Sequence, residues 1–149
     1  MATAAEEPAP TLLYVVKQVE LAIRAHLDDL LRPAGLTATQ YTALTVLERD
    51  PDLTSAQLAR NSFVTSQSMA DMVTALEAQG LIRRKRDASD RRRLVLSLTA
   101  DGRRVLRRFR PKVAALETQM VADLGTRRVA ELRRSLLACR AALADEQPN

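Results

Sequence analysis

Three short stretches of the chain share one pattern that is typical of the start of an α-helix. In each, an apolar residue precedes a threonine, and in the first two a glutamine follows three residues later: Leu36-Thr37 with Gln40, Leu53-Thr54 with Gln57, and Val64-Thr65. A threonine hydroxyl can accept a hydrogen bond from a backbone N–H of the first turn, while the glutamine reaches back to the cap. The pattern predicts helices over residues 38–49, 55–61 and 66–79 with very short connections, and Gly80 is expected to end the third.

The hydrophobic pattern changes after Gly80 from helical to alternating. Residues 93–98 place Leu94, Leu96 and Leu98 on one face of a strand, residues 81–86 can pair with them, and the polar residues 87–92 suit a turn. Two short helices joined by a tight turn and followed by a basic hairpin form a winged helix-turn-helix. The predicted fold class is therefore mainly α with a small β-hairpin wing, and the predicted winged helix-turn-helix domain covers residues 36–99.

Helical stripes of apolar residues flank this central region on both sides. They run over residues 12–30, 106–124 and 129–143, and Pro111 lies inside the second, so we expect a kink or break near Arg110. A small winged helix cannot cover all three stripes. We expect residues 11–35 and 100–144 to form a helical dimerisation region of a homodimer, and a monomer with its own end bundle is the alternative. Residues 1–10 are predicted to be a disordered tail, and the last five residues are predicted to fray.

The positive charge of the chain is concentrated in one segment. The formal net charge is +5, but residues 83–110 hold 12 basic and 3 acidic side chains, and 11 of those 12 cations are arginine. Arginine presents a planar fork of donors that suits phosphate, and clustered arginine marks nucleic-acid-binding surfaces. A solvated helical face is the ordinary alternative for a charge run.

The composition disfavours several other classes of protein. Cys139 and His26 are the only cysteine and histidine, so neither a disulfide framework nor a structural metal site is expected, and no cofactor is expected either. There is no glycine-rich phosphate loop and no nucleophile elbow, so we expect a chain that is not an enzyme. The acidic, proline-containing start does not resemble a signal peptide, and no apolar run approaches the roughly 18 residues of a membrane helix. A cytoplasmic protein without membrane contact is the resulting prediction.

The second short helix and the hairpin tip carry the candidate contacts to double-stranded DNA. In a winged helix-turn-helix the second helix enters the major groove, and its N-terminal residues meet base edges. Gln67 can pair with adenine and Asp71 can accept a hydrogen bond from cytosine; the predicted set is Thr65, Ser66, Gln67, Ser68 and Asp71. Arg91 and Arg92 at the hairpin tip have the charge and reach for a narrow minor groove. An ordinary polar first turn and a solvated hairpin turn are the alternatives.

Several motifs of the chain, taken together, resemble a known family. They are Leu58-Ala59 with Val64-Thr65, the segment 76–83, and Asp90-Arg91-Arg92 followed by Leu98-Thr99-Ala100-Asp101-Gly102. In order and spacing they are similar to the MarR (multiple antibiotic resistance regulator) family of bacterial transcription factors, over about residues 12–143.

The resemblance implies a homodimer with interlocked terminal helices and two DNA-binding lobes, which in most members acts as a repressor. It implies that Asp90 braces the wing and that arginines of the wing reach the minor groove; the wing set is Arg86, Asp90, Arg91 and Arg92. Thr54, Ser55 and Arg83 are the candidates for phosphate contacts. Many members release DNA when a small phenolic or lipophilic anion binds. Candidates to line such a pocket, each equally explained as core or surface, are Tyr14, His26, Tyr41, Phe63 and Met72.

The chain departs from the family pattern at three places. Phe63 stands where the turn between the two helices often has glycine, so we expect packing to hold this turn. Ala70-Asp71 replaces a Thr-Arg pair, and Cys139 lies on the apolar stripe of the last helix rather than in the first helix. We predict a sequence-specific transcriptional regulator, a homodimeric repressor of a pseudo-palindromic operator. The alternatives are a winged helix used for protein–protein contact and a non-specific DNA-binding module.

Overall fold

The computed structural model describes residues 8–144, so the expectations for residues 1–7 and 145–149 lie outside the described residues. Residues 8–11 have no regular secondary structure. The described part contains six α-helices, one short 3-10 turn at Arg32–Ala34 and one hairpin. In chain order the elements are α1 (Leu12–Leu31), α2 (Ala38–Arg49), α3 (Ser55–Asn61), α4 (Ser66–Ala78), β1 (Ile82–Arg86), β2 (Leu94–Leu98), α5 (Ala100–Met120) and α6 (Thr126–Ala144).

Helices α2, α3 and α4 begin where the capping pattern predicts. The hydroxyls of Thr37, Thr54 and Thr65 each accept a hydrogen bond from the backbone N–H three residues later, at 3.1, 3.2 and 3.1 Å. The side-chain oxygens of Gln40 and Gln57 in turn accept hydrogen bonds from the backbone N–H groups of Thr37 and Thr54, which completes two capping boxes. The bounds of α2 and α3 agree with the prediction, and α4 ends one residue early.

The predicted β-hairpin is present, and each strand begins one residue later than expected. The strands are antiparallel, with Ile82 opposite Leu98 and Arg86 opposite Leu94. Both faces of β2 are buried over residues 95–98, and only Leu94 is exposed. One cause is an added bridge in which the Leu96 N–H donates to the carbonyl of Leu53 at 2.8 Å.

The core of the first compact unit joins the helix-turn-helix to the hairpin. The chain divides into two compact units, residues up to Pro111 and residues from Lys112 onward. In the first unit, α2, α3, α4, β2 and α5 all contribute fully buried side chains, among them Leu44, Leu58, Met69, Val95 and Phe109. Burial of this size supplies most of the stabilisation of a small domain. The hairpin and the helices α3 and α4 therefore share one hydrophobic core.

Helix α5 continues through Pro111 without interruption. Of the predicted kink or break near Arg110, the break is therefore wrong and the kink stays a prediction. A proline removes one backbone donor from a helix and crowds the carbonyl four residues earlier. Pro111 and Arg107 are both exposed, so water can hydrate that freed carbonyl. The helix ends at Met120, four residues before the last apolar position of the predicted stripe.

Exposed apolar side chains lie on the terminal helices, each described within its own unit. On α1 they include Leu12, Leu13, Tyr14, Val16 and Val19. On α6, in the second unit, they are Leu132, Leu136, Leu137 and Leu143. Apolar faces of this kind are typical of surfaces that a protein partner covers.

Candidate nucleic-acid interface

The turn between α3 and α4 is held by backbone hydrogen bonds. The Phe63 N–H donates to the Arg60 carbonyl at 3.4 Å, and the Val64 N–H donates to the Ala59 carbonyl at 3.1 Å. These two bonds are those of a Schellman turn, which closes a helix with a left-handed residue. Phe63 is that residue, with φ of 61°, and its side chain is 82% exposed. The expectation that packing of Phe63 holds the turn is therefore wrong.

The first turn of α4 presents a polar surface to the outside. The Thr65 hydroxyl accepts from the Ser68 N–H at 3.1 Å and also lies 3.0 Å from the Ser68 hydroxyl. The opposite face carries the buried Met69, Val73 and Leu76. First-turn N–H groups have no partner within a helix, and the helix dipole favours anions at this end. All five predicted base-contacting residues are exposed here: Thr65, Ser66, Gln67, Ser68 and Asp71.

The tip of the hairpin is braced by its own residues. The Asp90 carboxylate accepts from the Arg92 backbone N–H at 3.1 Å, and the Arg86 guanidinium donates to the Arg91 carbonyl at 2.9 Å. Within residues 8–144, the guanidinium groups of Arg91 and Arg92 make no hydrogen bond or ion pair, and both residues are exposed. Among the described residues no carboxylate pairs with these two cations, which suits a phosphate-lined groove.

A second set of contacts ties the hairpin to α3. The Asp87 carboxylate accepts from both the backbone N–H and the hydroxyl of Ser89 at 3.0 Å. The backbone hydrogen bond from Ser89 is the main cause that lowers the pKa of Asp87. Arg93 lies 3.9 Å from Asp87 and donates to the Gln57 side chain of α3 at 3.3 Å. The sequence alone did not single out Arg93, because nothing in the charge run distinguishes a bracing arginine from a free one.

The three candidates for phosphate contacts lie in two places. Thr54 and Ser55 are half-buried at the start of α3, and the Thr54 hydroxyl already serves the capping box. Arg83 lies at the base of the hairpin opposite Ser97, with its Nε 3.5 Å from the Ser97 hydroxyl. There it lines a cavity of about 270 Å³ together with Lys85, which pairs with Asp52 at 3.0 Å. The structure therefore separates Arg83 from Arg91 and Arg92, while Arg93 links the hairpin to the first turn of α3.

The five candidates for a ligand pocket line neither the cavity at Arg83 nor a second cavity among the described residues. Apart from the cavity at Arg83, one of about 450 Å³ lies within the second unit, between residues 118 and 133. Tyr41 is buried, and this burial raises the pKa of its phenol. His26 is exposed, Tyr14 and Phe63 are 57% and 82% exposed, and Met72 is half-buried. The pocket therefore stays a prediction.

Between residues 8 and 144, no three histidine, cysteine, aspartate or glutamate side chains are grouped as a metal site would require. Over the same range, none of the helices combines the length and apolar character that crossing a membrane demands.

A short helix pair with a polar second helix, followed by a basic braced hairpin, defines the winged helix-turn-helix class. A sequence profile described as MarR family matches residues 34–93. The HTH-type transcriptional repressor Rv2887 of Mycobacterium tuberculosis is 35% identical over 136 residues, which cover 91% of this chain and 96% of that protein. The chain belongs to the MarR family.

Solved structures agree with this assignment. The structure of M. tuberculosis Rv2887 in complex with DNA has a TM-score of 0.72 at 32% identity, over 89% of this chain and 98% of that one. The complex of the same protein with salicylic acid has a TM-score of 0.71 at 33% identity, with the same coverage. The S. aureus MepR–DNA complex has a TM-score of 0.80 over 90% of this chain and 99% of that one, and at 22% identity it supports the fold alone.

Proposed function

We propose that this chain is a sequence-specific transcriptional regulator that binds double-stranded DNA as a homodimeric repressor. The observation that carries the proposal is that one compact unit holds both an exposed polar helix start and a braced hairpin. Arg91 and Arg92 of this hairpin have no partner within residues 8–144. The helix start offers side chains to base edges in the major groove, and the arginines offer charge to phosphates and the minor groove. The DNA complex of Rv2887, a relative of the same family, supports this use of the fold.

In this proposal the winged helix-turn-helix of residues 36–99 reads DNA, and residues 11–35 and 100–144 make the dimer. The exposed apolar faces of α1 and α6 support dimerisation, because isolated chains seldom leave such faces in water. A two-fold dimer presents two copies of α4 to successive major grooves, so the operator is expected to be pseudo-palindromic. Sedimentation of the full chain would show a dimer, and a monomer at all concentrations would contradict this part of the proposal.

The test of DNA recognition uses fluorescence anisotropy on the region upstream of the protein's own gene. A scrambled duplex of equal length and composition is the control, and both are titrated across a salt series. We expect binding to the upstream duplex at least about 10³ times tighter than to the scramble. Equal binding to both would favour the non-specific module, and no binding at low salt would favour a protein-binding winged helix.

A small-molecule effector is the second part of the proposed function. The salicylic acid complex of Rv2887 makes salicylate a reasonable probe for this chain. We expect salicylate to raise the Kd for the upstream duplex while leaving binding to the scramble unchanged. An equal effect of salicylate and of sodium chloride at matched ionic strength would indicate screening alone, and would remove this probe as an effector.

A further inference from the structure

Three helical segments of this chain end in the same kind of turn. Each turn has one residue in the left-handed region: Gly35 with φ of 68°, Phe63 with φ of 61° and Gly80 with φ of 73°. In each, the N–H of that residue donates to the carbonyl three positions back, and the next N–H donates to the carbonyl five positions back. Two of the three turns use glycine, which has no Cβ and pays no penalty for this conformation.

Phe63 is the exception, and its exposed side chain adds little to the packing of the fold. A non-glycine residue in the left-handed region costs folding free energy, and an aromatic side chain is among the less tolerant choices. Aromatic residues normally offset such costs by burying their rings. The Phe63 ring is instead 82% exposed. A strained residue whose side chain points into water indicates a role outside folding.

The position of Phe63 restricts what that role can be. It stands two residues before Thr65, the cap of α4. Consecutive Cα atoms are about 3.8 Å apart, so the Phe63 Cα lies within roughly 8 Å of that of Thr65. The exposed polar first turn of α4, residues 66–68, begins immediately after this cap. A surface that docks against the start of α4 therefore lies next to Phe63, whose side chain is exposed.

We propose that Phe63 is a DNA-contacting residue whose ring packs on the apolar surface of the duplex at the edge of the major groove. That surface is either the C5-methyl group of a thymine or the carbon face of a deoxyribose, and both are apolar. This inference rests on the proposed function, because it assumes that the start of α4 docks on DNA. It assigns to Phe63 a role distinct from the hydrogen-bonding residues of α4, and it takes Phe63 out of the predicted ligand pocket.

The decisive variant is Phe63→Gly, because it should improve the stability of the chain and weaken its affinity for DNA. Relief of the backbone strain acts on the Tm, and loss of the ring's contact acts on the Kd. Removing the side chain relieves the left-handed strain, so the Tm should rise by about 2–4 °C. Removing the ring loses the contact, so the Kd for the upstream duplex should rise about tenfold. Phe63→Leu keeps an apolar side chain on the strained backbone and should recover most of the affinity.

Replacing each thymine of the upstream duplex by uracil then distinguishes the two apolar surfaces. If the ring packs on a thymine methyl, one replacement weakens binding of the parent and has no effect on Phe63→Gly. If it packs on deoxyribose, no replacement separates the two proteins, although Phe63→Gly still binds more weakly.

The inference is overturned if Phe63→Gly binds the upstream duplex as tightly as the parent. It is also overturned if that variant is less stable than the parent, because the ring would then serve packing. If the parent prefers the upstream duplex and Phe63→Gly binds that duplex with the same Kd as the parent, the inference is wrong and the proposed function stands. A parent that binds neither duplex would remove both.

Discussion

Glycine at position 102 sets how closely α5 can approach the base of the hairpin. A Cβ built on Gly102 would lie 2.2 Å from the Leu81 carbonyl oxygen and 3.2 Å from a side-chain carbon of Leu98. The same Leu81 carbonyl accepts a hydrogen bond from the Thr99 N–H at 3.1 Å. The Thr99 hydroxyl caps α5 by accepting from the Gly102 N–H, also at 3.1 Å. Gly102→Ala must therefore push α5 away from the residues that lead into β1.

The expected cost of Gly102→Ala follows from these contacts. Overpacking against backbone costs about 1–3 kcal/mol, and weakening the Thr99 hydrogen bond adds about 0.5–1.5 kcal/mol. Alanine regains about 1 kcal/mol through its higher helix propensity. The net loss in the free energy of unfolding is about 0.5–3.5 kcal/mol, which corresponds to a Tm lower by about 1–14 °C in a chain of this size.

Urea denaturation followed by far-UV circular dichroism measures this loss directly. Gly125→Ala is the matched control, because a Cβ there meets nothing within 4 Å and Gly125 does not have a positive φ. We expect the control to remain within about 0.5 kcal/mol of the parent, with an unchanged m value for both variants. If Gly102→Ala proves as stable as Gly125→Ala, the close packing of α5 on Leu81 is not what glycine provides at this position.

Two further predictions concern pH and capping. The hydrogen bond from the Ser89 N–H lowers the pKa of Asp87 in the folded chain. The Asp87 carboxylate therefore stabilises the fold at pH values above the ordinary carboxyl pKa of about 3.9. This contribution is lost as the pH falls through the lower pKa of the folded chain. Asp87→Asn should therefore be less stable than the parent at pH 7, with the difference closing in acid; a difference that does not depend on pH would contradict this. Thr54→Ala should lose about 0.5–2 kcal/mol in urea denaturation because it removes the capping box of α3. Thr74→Ala removes an exposed hydroxyl that donates to the Ala70 carbonyl in α4, and it should change the free energy of unfolding little. Equal losses of stability in Thr54→Ala and Thr74→Ala would refute the capping argument.

The parts of the fold that the sequence predicted are those specified locally. A capping threonine with a following glutamine acts within one turn of helix, so the starts of α2 and α3 could be read without knowing what packs on them. Where tertiary packing decides, prediction from the sequence was incomplete. Burial of β2 on both faces depends on residues such as Leu53, which is distant in sequence, and the continuity of α5 at Pro111 depends on solvent exposure.

The candidate interface shows the same division. Exposure of the first turn of α4 follows from its polar residues and the apolar stripe behind them. The sequence could not show that Arg86 would be used to brace the hairpin while Arg91 and Arg92 remain unpaired, because guanidinium partners are chosen by the geometry of the turn. Phe63 could be noticed as an unusual residue in the turn, but its positive φ and exposure require the three-dimensional structure.

The most direct test of the proposed mechanism compares Gln67→Ala and Arg92→Ala on the upstream and scrambled duplexes across a salt series. Arg128→Ala, an exposed arginine on α6, is the control for a loss of one charge. Arg92→Ala should weaken binding to both duplexes and reduce the slope of log K against log salt by about 1, because fewer counterions are released. Gln67→Ala should weaken binding to the upstream duplex alone, by about 1–3 kcal/mol at one base pair, with an unchanged slope. Equal losses on both duplexes for Gln67→Ala, or an unchanged slope for Arg92→Ala, would contradict the division of DNA recognition between α4 and the hairpin.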